Sequence, residues 1–183
     1  MKKYILILLI PLLFNDCRKK CEDQHENCTA EELSWLPYQS GETIIFKRND
    51  GVFDTTITSA RLSSDHQISA ASKDGLHCAS YFQTVSQGLY GKIIKVQIEA
   101  WPYESQGPRI YNKGYPVMNI NKVPPQDNVT INGITYNSVY IPYIDSTNSS
   151  QPTSSNLWKV YYTKQNGLIR LDYTNGIHWE RIN

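Results

Sequence analysis

Any catalytic chemistry in this chain must draw on four cysteines, four histidines and 17 carboxylates. His77-Cys78 is the most reactive-looking pair. A cysteine becomes a nucleophile when a base faces its sulfur in an electropositive setting. Neighbours along a strand point to opposite faces, so His77 is poorly placed to activate Cys78, and a disulfide or a buried thiol explains the cysteine better. Two carboxylate pairs, Glu31/Glu32 and Asp172/Glu180, offer an acid and a base in principle. The first falls in a helix-capping turn and the second stands beside Arg170 and Arg181, so surface charge pairing accounts for both. No phosphate loop, Gly-x-Ser-x-Gly or His-Glu-x-x-His occurs. The cysteines form no Cys-x-x-Cys and the histidines are scattered, which leaves no metal or cofactor site to expect. A non-catalytic protein is therefore the leading expectation. Its alternative is a hydrolase whose His66, His77 and His178 meet carboxylates only in the fold.

Binding chemistry is better supplied. The chain has 13 tyrosines and 4 tryptophans, and Trp101, Tyr103, Tyr111, Tyr115, Tyr136, Tyr140 and Tyr143 crowd one stretch. Such rings give rigid, amphipathic contact area for glycans, peptides or protein partners. They are equally favoured in strands, so ordinary sheet packing competes with the ligand reading. Trp101, Tyr103, Tyr111, Tyr115, Tyr140 and Tyr143 are the candidate ligand surface.

The N-terminus says where the protein is sent. Lys2 and Lys3 precede an apolar run from Tyr4 to Phe14 broken only by Pro11, the pattern of a signal peptide over residues 1–16. The run is too short to cross ~30 Å of hydrocarbon, which takes roughly 20 apolar residues. Cys17 stands three residues beyond it and resembles the lipidated cysteine of a bacterial lipobox, although Asp16 replaces the small residue usual before that cysteine. Residues 17–28 read as a solvated tether and 29–183 as one domain. Removing residues 1–16 takes Lys2, Lys3 and Asp16 from 18 basic and 17 acidic residues, leaving 16 of each. That balance argues against nucleic acid, which needs a basic footprint. Export favours oxidation, so Cys78 is expected to be bonded to Cys28 or Cys21, with Cys28 the better placed beside the cap at Thr29.

The elements that must position these groups read as mainly β. Thr29-Ala30-Glu31-Glu32 matches a capping box opening a short helix that Pro37 halts, with Leu33, Trp35 and Leu36 closing one end of a core. Strands follow at 43–48 and 52–62 around Asp50-Gly51, at 92–100, and at 129–143 around Asn132-Gly133. Residues 74–85 fit either a helix or part of a bent strand pair. At the C-terminus, Asn166-Gly167 and Asn175-Gly176 divide a three-strand meander, in which type I′ turns would set Trp158, Val160 and Tyr162 on one face. The expected fold is a single antiparallel β domain, a curved sheet, sandwich or half-barrel with a short N-terminal helix.

The segment Thr29 to Tyr38 with Gly41 and the strand through Phe46 resembles the start of small envelope lipoproteins of Gram-negative gut and soil bacteria, a group without an assigned activity. The ending, Val160 to Lys164 through Asn166-Gly167-Leu168 to Gly176-Ile177-His178-Trp179, is similar to theirs. The resemblance implies a lipid-anchored β domain at the outer membrane, facing periplasm or cell surface. It transfers no catalytic residues. Its partners would be the membrane, through the lipid, and an envelope protein, glycan or apolar ligand. Such bacteria O-glycosylate exported proteins at Asp-Ser/Thr sites, and Asp54-Thr55-Thr56 and Asp145-Ser146-Thr147 resemble that pattern, making Thr55 and Ser146 the candidates.

Overall fold

Period-two alternation of apolar and polar residues buries one face of a strand and wets the other. In this chain that pattern builds one long curled sheet. The computed structural model describes residues 24–69, 79–102, 108–112, 115–120, 123–143 and 157–183. Its elements are β1 (Gln24–Glu26), α1 (Ala30–Leu33), β2 (Thr43–Arg48), β3 (Phe53–Thr58), β4 (Leu62–Ser69), β5 (Ala79–Tyr90), β6 (Lys95–Ala100), β7 (Arg109–Asn112), β8 (Tyr115–Asn119), β9 (Val129–Ile131), β10 (Ile134–Tyr136), β11 (Leu157–Thr163), β12 (Gly167–Tyr173) and β13 (His178–Arg181). The main sheet runs β11-β12-β13-β2-β3-β5-β6-β7-β8, with β1 and β4 also on β5, and β9 and β10 pair separately. Apart from the parallel β1–β5 pair, every pairing is antiparallel. The fold is a mainly β half-barrel.

The core lies inside the curl. Ile44 and Phe46 of β2, Leu89 of β5, Val96 and Ile98 of β6, and Ile110 of β7 meet Val160, Tyr162, Leu171 and Trp179 from the meander. The open side is plugged by Trp35, Leu36 and Tyr38. The capping box at Thr29 and Glu32 forms as expected, and α1 is a single turn. From there the chain is laced across the half-barrel: Leu168 N–H donates to the Tyr38 hydroxyl, Gln87 donates to the Tyr38 carbonyl at 3.0 Å, and Tyr162 O–H donates to the Trp35 carbonyl. These three bonds tie the plug to β12, β5 and β11.

Several expectations change in detail. The strand expected over 52–62 is two strands with a bend at 59–61, where Ser59 and Gly88 exchange backbone and side-chain hydrogen bonds and Gln87 holds the Ser59 carbonyl. The ambiguous 74–85 region resolves as sheet where it is described, with β5 a 12-residue strand hairpinned to β4. Three residues of the expected tether, Gln24 to Glu26, pair with Ser80 to Phe82. They occupy a free edge of β5 beyond the end of β6, where unpaired backbone groups would otherwise stand.

Neither meander turn is type I′. Gly167 and Gly176 have positive φ, whereas Asn166 and Asn175 do not; only Asn132-Gly133 has both residues positive. A bulge between Leu157 and Lys159 also shifts the register of β11. Leu157, Val160 and Tyr162 therefore point inward, and Trp158, expected beside them, is 43% exposed.

Candidate functional site

The groups with reactive potential are held apart. His66 on β4 lies 3.1 Å from the Thr84 hydroxyl, and its ring stacks on Phe82. His178 on β13 faces Glu180 at 3.9 Å. In the sheet β2 and β3 stand between β13 and β5, the strand that carries β4, while His77 lies outside the described residues. Arg170 bridges Asp172 at 2.6 Å and Glu180 at 2.8 Å, so this carboxylate pair is a charge-paired surface network. Arg181, expected in that network, instead reaches Glu42. Among the described residues no cluster of three His, Cys, Asp or Glu side chains could hold a metal.

Cys28, expected to be half of a disulfide, is a free thiol. It fills the notch between the end of β1 and the start of β6, donating to the carbonyls of Gln83 at 3.3 Å and Ala100 at 3.6 Å. Burial pushes its pKa up, and Glu32 and Glu99 add to the shift, so little nucleophilic thiolate forms. Its candidate partners Cys78 and Cys21, like the lipidation candidate Cys17, lie outside the described residues.

The proposed aromatic surface divides into two. Trp101 and Tyr111 belong to one cluster on the outer face of the sheet. Rings of His66, Phe82 and Trp101 stack at centroid distances of 4.9 and 5.2 Å, and the Arg109 guanidinium sits 4.0 Å from the Trp101 ring. Beneath them Glu99 accepts from Trp101 Nε1 at 2.9 Å and from the Tyr111 hydroxyl. Glu99 was expected on a wet strand face but is only 9% exposed, because these two rings close over it. Burial, with Glu99 alongside, pushes the Tyr111 phenol up to about 12. Tyr140 and Tyr143 belong elsewhere. Their segment bridges to Tyr162 and Lys159 along the edge of β11, with Tyr140 edge-on to Trp35 in the core and Tyr143 exposed. Tyr115 opens β8 opposite Asn112. Tyr103 and Ser146 lie outside the described residues.

A second feature of the outer face escapes the sequence reading altogether. On β3 the polar residues Asp54, Thr56 and Thr58 are buried, and Phe53, Thr55 and Ile57 point out. The buried groups are fully engaged. Asp54 accepts from the backbone N–H groups of Lys92, Ile93 and Ile94 at 2.7–3.1 Å. Thr56 donates to the Ile44 carbonyl at 3.1 Å, and Thr58 donates to the Gln39 carbonyl. Outward, Ile57 stands directly opposite Tyr90, and Leu62 and Ile93 complete an apolar patch. Thr55, the described glycosylation candidate, is exposed between Phe53 and Ile57.

The class of protein these features define is an antiparallel β half-barrel with a plugged interior and an apolar outer face. No protein family, no curated protein and no solved structure matches the chain.

Proposed function

We propose that this chain is a lipid-anchored protein of the bacterial envelope, acylated at Cys17 and held at the outer membrane. Its half-barrel is a non-enzymatic interaction module whose contact surface is the outer face of β3 to β6. The observation that carries the reading is the inversion of β3. A one-residue register shift would send Phe53 and Ile57 to the core and Asp54, Thr56 and Thr58 to water. The chain instead hydrogen-bonds each buried polar side chain and leaves Phe53 58% and Ile57 55% exposed. Rules of local patterning are broken in this way where a surface serves a partner. An open face of this shape suits an extended partner, an envelope protein or glycan, better than an enclosed small ligand.

Intact mass of the protein purified from its native membranes tests the anchor. A chain beginning at an acylated Cys17 is expected, and an unmodified Met1 or a free Cys17 would overturn it. Capture from the same membranes tests the surface. The wild-type mature chain should retain a defined partner that Ile57→Ser loses, and equal retention by the two would remove the outer face from the proposal.

A further inference from the structure

We infer that the outer-face patch docks on the anionic phospholipid surface of the membrane to which the chain is anchored. This inference rests on the reading of β3 to β6 as the contact face and names what that face contacts. The apolar centre is formed by Phe53, Ile57, Leu62 and Tyr90, each more than half exposed. Lysines flank it on the same face. Lys47 stands opposite Phe53 with its ammonium 5.9 Å from the ring centroid, and Lys95 stands opposite Tyr90. Lys92 projects from the adjoining turn, and all three lysines are exposed.

Among the described residues, none of these three lysines is ion-paired. The nearest carboxylates are occupied elsewhere. Glu180, opposite Lys47, is held by Arg170, and Asp54 turns inward to the 92–94 backbone. The patch is therefore apolar at its centre and uncompensated positive at its margin. That is the chemistry of a bilayer interface, where aromatic and aliphatic side chains enter the headgroup layer and lysines reach to lipid phosphates.

The anchor geometry agrees. Residues 18–23 separate Cys17 from Gln24, a span of roughly 24 Å when extended. β1 begins at Gln24 in the same sheet as the patch. With the outer face down on the bilayer, Gln24 sits about a side chain's height above it, which the tether covers with length to spare.

The test uses the mature chain from residue 17 carrying Cys17→Ser, so that no acyl chain contributes, and co-sedimentation with vesicles. Vesicles of phosphatidylcholine with phosphatidylglycerol should retain the protein, pure phosphatidylcholine should not, and retention should fall as salt is raised. Each lysine near the surface is worth roughly fivefold in partitioning, so the triple variant Lys47→Gln, Lys92→Gln, Lys95→Gln should bind on the order of a hundredfold more weakly. Its melting temperature should be unchanged, because these side chains hold nothing in place. Phe53→Ser should also weaken binding while retaining the preference for anionic lipid. Equal binding to the two vesicle types, or wild-type binding by the lysine variant, would overturn the inference. So would a dimer in sedimentation that Phe53→Ser abolishes, which would assign the patch to a second copy of the chain. An acylated Cys17 together with lipid-indifferent binding would sink this inference alone, whereas a free Cys17 in the native protein sinks the anchor on which it rests.

Discussion

Glu99 occupies a strand position whose alternation points it toward water, and two rings remove it from water. Trp101 and Tyr111 each donate to its carboxylate, replacing hydration with directed hydrogen bonds. The reciprocal effect falls on Tyr111, whose phenol loses its proton only near pH 12 because the phenolate would be partly buried next to a carboxylate. A raised folded-state pKa favours the protonated form, so this stabilisation is complete below about pH 10, the ordinary phenol value, and fades as pH climbs toward 12. An ultraviolet titration of the wild type minus that of Tyr111→Phe should isolate a phenol ionising well above 10. In Glu99→Gln the same phenol should ionise at lower pH, and an unmoved titration would mean the carboxylate is not its neighbour. The sequence singled out Trp101 and Tyr111 by ring type alone. It gave no sign that Glu99 joins them, because that contact depends on β6 and β7 lying side by side.

Turns and strands show where local signals suffice. Every Asn-Gly or Asp-Gly pair marks a real chain reversal, since glycine reaches positive φ without steric cost. Their types were misjudged at the meander, where only the glycine is left-handed. Gly176, at φ 79°, has open space around a would-be Cβ, so Gly176→Ala should cost only the left-handed conformation, about 1–2 kcal/mol. Gly167, at φ 71°, would additionally drive a Cβ into the Tyr38 ring, whose Cε1 lies 2.8 Å away. Gly167→Ala should therefore lose a further ~1–3 kcal/mol of overpacking strain. Urea denaturation of the two variants checks the order, and equal losses would mean that Tyr38 does not lie against β12. The inversion of β3 belongs to this scale too. Phe-Asp-Thr-Thr-Ile-Thr alternates cleanly, yet the alternation cannot tell which face is the core when the polar face finds partners for every buried group.

For the whole molecule, stability turns on the plug that crosses the half-barrel. Trp35, Leu36 and Tyr38 bury apolar surface against both limbs of the curl, and their backbone and side-chain polar groups are satisfied by residues more than 45 positions away in sequence. Tyr38→Phe keeps the packing and removes the acceptor for the buried Leu168 N–H. An unsatisfied buried donor costs about 1–3 kcal/mol, and the melting temperature should fall accordingly. A variant as stable as the wild type would mean that the plug is held by packing alone. Gln87 donates to two carbonyls at 3.0 and 3.1 Å and so fastens the plug to the bend between β3 and β4, although its own carbonyl oxygen is buried without a partner among the described residues.

The sequence by itself determined the β class, the capped turn at Thr29, the sites of chain reversal and most inward positions of β2 and β6. These follow from short-range physics: φ preferences, capping hydrogen bonds and alternation within one strand. Tertiary structure alone decided that β3 turns its apolar side outward, that a bulge expels Trp158, that Glu99 is enclosed, and that Cys28 fills a notch as a thiol. Each of these depends on which strand lies alongside and in what register. Register is fixed by the summed burial and hydrogen bonding of residues far apart in the chain, so no local window of sequence carries it.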